Sequence, residues 1–230
     1  MRKIAIFSLP FRGPRDEFLP LRGNPGMDAR WVNPQDFAKE FPQGADYIVL
    51  PGSGATVRDL EFLRQSGGES AIRSHLAGGG TVVGICGGYQ ILGNMLHDPL
   101  KKQGNQREVE GLGLLPVQTL FGPRMMSVET KARCLLAPND DNLVAGQEHR
   151  SGISWDDAGA DRYLRLNAVE TRTPMKPLPK PRKWRRNGVI WAPGREELDG
   201  YVSTDRKVWG TYIHLIFHND AFCRALFQPA

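Results

Sequence analysis

Residues 82–93 of this 230-residue chain read VVGICGGYQILG. An apolar run, a glycine, a cysteine, two glycines and an amphipathic stretch make a strand-to-helix corner with a thiol at its apex. Such a corner strains the backbone of the nucleophile, so its neighbours must be small, and here they are Gly84, Gly87 and Gly88. The Cys86 thiol then sits at a helix N-terminus, where the local positive field favours thiolate, the reactive form. The next backbone N–H, that of Gly87, points to where an oxyanion would form. A cysteine without such a context is usually small, buried and inert, and Cys134 and Cys223 are read in that way.

A second motif, LPGSG at 50–54, closes another apolar run and offers a further N–H from Gly52 or Ser53. Pro-Gly-Ser alone is ordinary turn chemistry. In a parallel sheet, however, both turns lie at the carboxyl ends of strands, where such folds bind ligands. A cysteine nucleophile also needs a base. Of the five histidines, His75 falls in a polar helical stretch and reads as solvated, and His97 falls in a proline-containing loop. His214 ends the apolar run KVWGTYI (207–213) just before a loop, which puts its side chain at the top edge of a sheet. Sequence order by itself does not bring it to Cys86.

The elements that must position these groups are legible. KIAIFSL (3–9), ARWV (29–32), DYIVL (46–50) and TVVGI (81–85) read as strands. PQDFAKEF (34–41), with Asn33 as cap, TVRDLEFLRQSG (56–67), with Thr56 as cap, and ESAIRSHLAGGG (69–80) read as helices. Residues 10–27, rich in Pro, Gly and Arg, read as a loop with one helical turn in it. This alternation predicts an α/β fold with a mostly parallel, doubly wound sheet. Further on, 111–120, 127–136, 142–149, 162–169, 188–192, 199–203 and 207–213 are strand-like, and 219–227 closes as a helix capped by Asn219.

Composition narrows the function classes. Three cysteines without CxxC spacing argue against a disulfide scaffold or a zinc site and for a reducing compartment. The opening apolar run is too short for a secretory leader, and no stretch reaches the length of a membrane span, so the chain reads as cytoplasmic. The net charge of +5 resides in residues 171–188, which hold seven Lys/Arg and no acid. That segment reads as an exposed Pro-basic insertion and not as a global nucleic-acid footprint. Docking of a partner and attraction of a polycarboxylate are its functional readings.

GICGGYQILG resembles the active-site block of class I glutamine amidotransferases, in which Cys, Gly and Gln recur as C-x-G-x-Q. LPGSGATVRDLEFLR (50–64), GLGLLPVQTLF (111–121) and DGYVSTDRKVWGTYIHLIFHND (199–220) resemble the glutaminase half of the cobyric acid synthase family. KIAIFSLP and NDAFCRALF fit as well, so the likeness runs over nearly the whole chain as one domain. The resemblance implies a flavodoxin-like glutaminase fold with helices on both faces of the sheet and extra antiparallel strands in the C-terminal half. It implies that Cys86 attacks the glutamine side-chain amide and that His214 activates the thiol and protonates the leaving ammonia. Gly87 and the Gly52–Ser53 turn would supply the oxyanion hole, Gly88 and Gln90 would help hold glutamine, and a thioester on Cys86 would be hydrolysed to glutamate. No metal is implied. No GxxxxGK[ST] loop occurs, so ATP and Mg are expected only on a partner synthetase that activates a carboxylate, corrinoid by this resemblance, and receives the ammonia.

The sequence departs from that pattern at several places. Ile216 stands where many class I relatives carry an acid, as is usual in this branch, so the third member of the triad is open. Gly54, Met125 and Val128 stand where Lys, Lys and Arg are expected. The usual GYEIHxG is GQEHRSG (146–152), with His149 and Arg150 at the Ile and His positions, and Arg150 or Arg124 is the candidate to meet the glutamine carboxylate. These departures motivate one alternative, a non-catalytic binding or regulatory relative. Another is a glutaminase subunit for a different acceptor, such as lipid II.

Overall fold

A computed structural model describes residues 1–135, 143–156, 163–174, 184–186, 189–191, 198–219, 222, 223 and 227. β1 (Arg2–Phe7), β3 (Tyr47–Leu50) and β4 (Thr81–Ile85) are apolar almost throughout, and β3 and β4 are wholly buried. Continuous apolar strands of this kind belong in a parallel sheet covered on both faces. They pair in parallel, with β2 (Met27–Val32) outside β1 and β13 (Val208–Thr211) beside β4. The register Gly210↔Gly84 and Thr211↔Ile85 ends β4 and β13 at the same level. Cys86 and the residues after Thr211 therefore leave the sheet together.

Beyond β13 the sheet turns antiparallel through β12 (Leu198–Ser203), β9 (Tyr163–Pro174) and β7 (Val117–Cys134), then continues to β5 (Met95–His97) and β6 (Glu108–Glu110). β8 (Leu143–Asp156) lies off this path, paired along β7. α3 (Thr56–Gln65) buries Val57, Leu60 and Leu63, one helical face. α4 (Gly68–Ala77) and α5 (Gly87–Leu92) follow. Among the described residues no helix is long and apolar enough to cross a membrane.

Several elements differ from the sequence reading. Residues 111–120 and 127–136 do not give two strands. From Val117 on they form the single strand β7, with its ladder to β8 irregular between Phe121 and Met126. Gly122-Pro123 lies inside that irregular stretch, where proline removes a ladder donor without ending the strand. The helix at 34–41 is a 3-10 turn, Pro34–Asp36, leading into α2 (Phe37–Glu40), and Asn33 makes no side-chain cap. α3 has Ala55 at its cap position, and the Thr56 hydroxyl is turned inward to Gln90.

His75 is buried and its Nε2 meets the Thr81 carbonyl at 3.0 Å. Burial pushes its pKa below the usual imidazole range, against that hydrogen bond. Helical spacing puts it on the face of Ile72, which outweighs the polarity of its neighbours. His97 belongs to β5 and stacks on Trp155. In the basic segment, Thr171–Pro174 prolong β9, and β10 (Trp184–Arg186) pairs antiparallel with β11 (Val189–Trp191). Residues 175–183, 187 and 188 lie outside the described residues. Of the expected final helix, Phe222, Cys223 and Phe227 are helical, and 220, 221 and 224–226 lie outside the described residues.

Candidate active site

β4 ends at Ile85, and Cys86 takes φ +49°, ψ −104° before α5 begins. A non-glycine residue in that region stores strain that its surroundings must hold in place. The holding contact is direct: the Cys86 N–H donates to the Thr211 carbonyl at 2.8 Å. The thiol is 5 % exposed. A side-chain carbon on Gly87 would lie 2.6 Å from the Ser53 nitrogen, so the corner and the Gly52–Ser53 turn are in contact. A carbon on Gly52 would lie 2.6 Å from His214 Cε1, so the imidazole rests on the turn. Cys86, Gly87, Gly52, Ser53 and His214, found separately in the sequence, form one cluster.

His214 is held from behind by a residue the sequence reading missed. Glu17, 4 % exposed, accepts from His214 Nδ1 at 3.2 Å and from the Leu215 N–H at 3.2 Å. It lies in a 3-10 turn, Asp16–Phe18, inside the 10–27 loop. Phe18 anchors that turn against Trp31 and Phe217. Burial disfavours the His214 imidazolium, but negative charge and a hydrogen bond at Cys86, joined by Glu17, outweigh it and push the pKa up to about 11. An ionised sulfur at Cys86 and the Glu17 carboxylate thus favour the imidazolium form of His214.

This balance makes a prediction. Capping Cys86 with iodoacetamide removes both the charge its sulfur can carry and its hydrogen bond to His214. The His214 titration should then fall from about 11 towards the ordinary imidazole range, as read by ¹H–¹⁵N NMR of labelled histidine. An unmoved titration would show that the two groups are not coupled.

The same loop builds the other wall. Gly13 N–H donates to the Gly52 carbonyl and Gly54 N–H to the Phe11 carbonyl, both at 2.8 Å. Asp59 is fully buried, and accepts from Phe11 N–H at 3.0 Å and from Ser53 Oγ at 2.5 Å. Burial raises its pKa, against those hydrogen bonds and the charge of Arg12. The Asp59 carboxyl thus fixes both the Ser53 turn and the loop that carries Glu17.

β8 crosses over the site. The Cys86 thiol donates to the His149 carbonyl at 3.3 Å, and Gln147 and His214 exchange backbone hydrogen bonds of 3.2 and 2.6 Å. Asn219 ties the strand down, accepting from Ala145 N–H at 2.9 Å and donating to its carbonyl at 3.0 Å. The His149 ring lies 5.7 Å from that of His214.

Other expected positions sit deeper. Gln90 is buried, accepting from Thr56 Oγ1 at 3.1 Å and donating to the Tyr212 hydroxyl at 3.0 Å. It joins α5 to α3 and to the segment before His214. Gly88 packs on the Leu50 carbonyl, where an added carbon would lie at 2.1 Å. Arg150 is buried under β8, its guanidinium 4.6 Å over the Tyr212 ring and 3.3 Å from Glu148. Val128, paired with Glu148 across β7–β8, is buried as well, whereas Met125 is exposed. An added carbon on Gly54 would find its nearest neighbour, the Phe11 carbonyl oxygen, at 3.7 Å, an ordinary contact. Among the described residues no group of three His, Cys, Asp or Glu could hold a metal ion.

Comparison with known proteins agrees with this geometry. The profile of the CobB/CobQ-like glutamine amidotransferase domain matches residues 3–222. Cobyric acid synthase of Rhizobium johnstonii is 33 % identical over 98 % of this chain and 39 % of its own length. The chain thus spans about two fifths of the curated relatives it matches. In fold it is similar to a crystal structure of a glutamine amidotransferase (TM-score 0.59, 15 % identity, 98 % of this chain and 99 % of that one). It is likewise similar to PurLQS from Thermotoga maritima (TM-score 0.57, 14 % identity, 98 % and 97 %). A strained thiol corner, a facing histidine and a match over nearly the full length lead to one conclusion: the chain belongs to the CobB/CobQ-like family of class I glutamine amidotransferase domains.

Proposed function

We propose that this chain is the glutaminase component of an amidotransferase and hydrolyses L-glutamine to glutamate and ammonia through a thioester on Cys86. The observation that carries the reading is the strained Cys86 facing a His214 whose imidazolium form is favoured by Cys86 and backed by Glu17. The thiolate attacks the carboxamide carbon, and the carbonyl oxygen gathers negative charge towards the N–H groups of Gly87 and the Gly52–Ser53 turn. As the C–N bond breaks, the His214 imidazolium gives its proton to the departing ammonia. Water then adds to the thioester, neutral His214 takes its proton, the thiolate leaves and glutamate is released.

Ammonia alone is not an amide, so the proposal includes an ATP-dependent synthetase partner that activates a carboxylate with ATP and Mg. The matching part of cobyric acid synthase supports a corrinoid as the acceptor. The free cysteines support a cytoplasmic setting.

The test is glutamate release from glutamine, with the chain alone and with its synthetase, in the presence of hydroxylamine. A γ-glutamyl thioester is trapped as the hydroxamate, so both glutamate and hydroxamate are expected. A folded protein that yields neither, with its partner present, would overturn the reading.

A further inference from the structure

The glutamine side chain can be placed at Cys86 only if something reads its other end. Three C–C bonds separate the carboxamide carbon from Cα, a reach of roughly 4 Å. The amino-acid head group therefore binds within one side chain of the thiol. Several polar groups near the thiol are already committed. Gln90 has both ends of its amide engaged in the interior. Glu17 is spent on His214 and Leu215. Arg150 is buried with Glu148.

Among the described side chains, a polar row on β7 and β8 is placed to read the head group. His149 offers its carbonyl to the thiol at 3.3 Å, and its ring flanks that of His214. Its Nδ1 meets Ser127 Oγ at 3.0 Å and its Nε2 meets Gln147 Oε1 at 3.1 Å. All three side chains are partly exposed. They bond chiefly to one another, and such contacts exchange for a ligand at little net cost. Gln147 and His149 occupy alternate positions of one strand, so they share a face. Both are departures from the GYEIHxG pattern, with polar groups replacing Tyr and Ile.

We propose that Ser127, Gln147 and His149 form the subsite for the α-amino acid head group of the substrate. The imidazole N–H and the Ser127 hydroxyl donate to the α-carboxylate, and Gln147 Oε1 accepts from the α-ammonium. The inference rests on the glutaminase reading and adds to it the residues that select an amino acid over a simple amide. Burial, followed by repulsion from His214, keeps the His149 pKa below the usual range, opposed by Glu17. The free site at neutral pH therefore presents a neutral donor.

Two alkylators of Cys86 separate head-group recognition from thiol reactivity. The diazoketone analogue of glutamine (diazo-oxo-norleucine) carries the head group, and iodoacetamide does not. Inactivation rates for both are measured at about pH 8, where ordinary imidazole is neutral. His149→Ala should lower the ratio of the diazoketone rate to the iodoacetamide rate roughly 10- to 100-fold, the worth of a hydrogen bond to a charged group. Ser127→Ala should lower the ratio in the same direction, and His149→Gln, which keeps a donor, should retain more of it. An unchanged ratio in the folded alanine variants, whether both rates fall together or neither falls, overturns the subsite. A wild-type chain labelled by iodoacetamide but not by the diazoketone overturns the glutaminase reading itself.

Discussion

Exchanging Cys86 for alanine should end glutamate release, a fall of at least about 10⁴-fold. The size of the effect follows from the absence of a substitute nucleophile among the described residues. Cys134 is buried in the core, and Cys223 donates its thiol to the Phe217 carbonyl. Water without the thiol keeps only the help of the oxyanion donors, which survive because Gly87 and Ser53 do not depend on the sulfur. Stability should move by no more than about 1 kcal/mol, since alanine keeps the backbone at φ +49° and removes only a small group. A coupled glutamate dehydrogenase assay and a thermal melt measure both quantities. Release that persists in a folded alanine variant would remove Cys86 from the chemistry.

Much of this site was readable because its chemistry is local. A strand that must turn into a helix around a thiol needs glycines at Gly84, Gly87 and Gly88, and those glycines are visible in sequence. His214 was readable because an apolar strand stops just before it. Glu17 was not readable. Its segment reads as a loop with one helical turn, and which of Asp16 and Glu17 points inward is decided by Phe18 docking on Trp31 and Phe217, a tertiary event. The covering strand was only half readable. Residues 142–149 read as β, but the position of β8 across the thiol depends on its pairing with β7 and on the Asn219 tie. His75 shows the opposite failure, because the helical spacing from Ile72 was available and local polarity was given more weight.

Glu17→Gln should lower kcat roughly 10- to 1,000-fold while KM for glutamine changes little, because the carboxylate acts through His214 and not on the substrate. The substitution isolates charge from shape. Glutamine keeps an oxygen for the Leu215 N–H, so the loop keeps its anchor. What is lost is the negative charge at 3.2 Å from Nδ1, which both orients the ring and stabilises its cation. The pH dependence carries the signature. His214 is raised above its unfolded value, so its contribution to stability is full below the ordinary imidazole pKa and is lost as pH rises through about 11. Removing the Glu17 charge lowers the folded pKa, so that loss should begin at lower pH in the variant. The gap in melting temperature between wild type and variant should therefore be widest near neutral pH and close towards about 11. Glu17→Asp, which keeps the charge on a shorter arm, should recover part of kcat. A gap of constant size across that range, or an aspartate variant no better than glutamine, would mean that Glu17 only packs the loop and that His214 is poised by Cys86 alone.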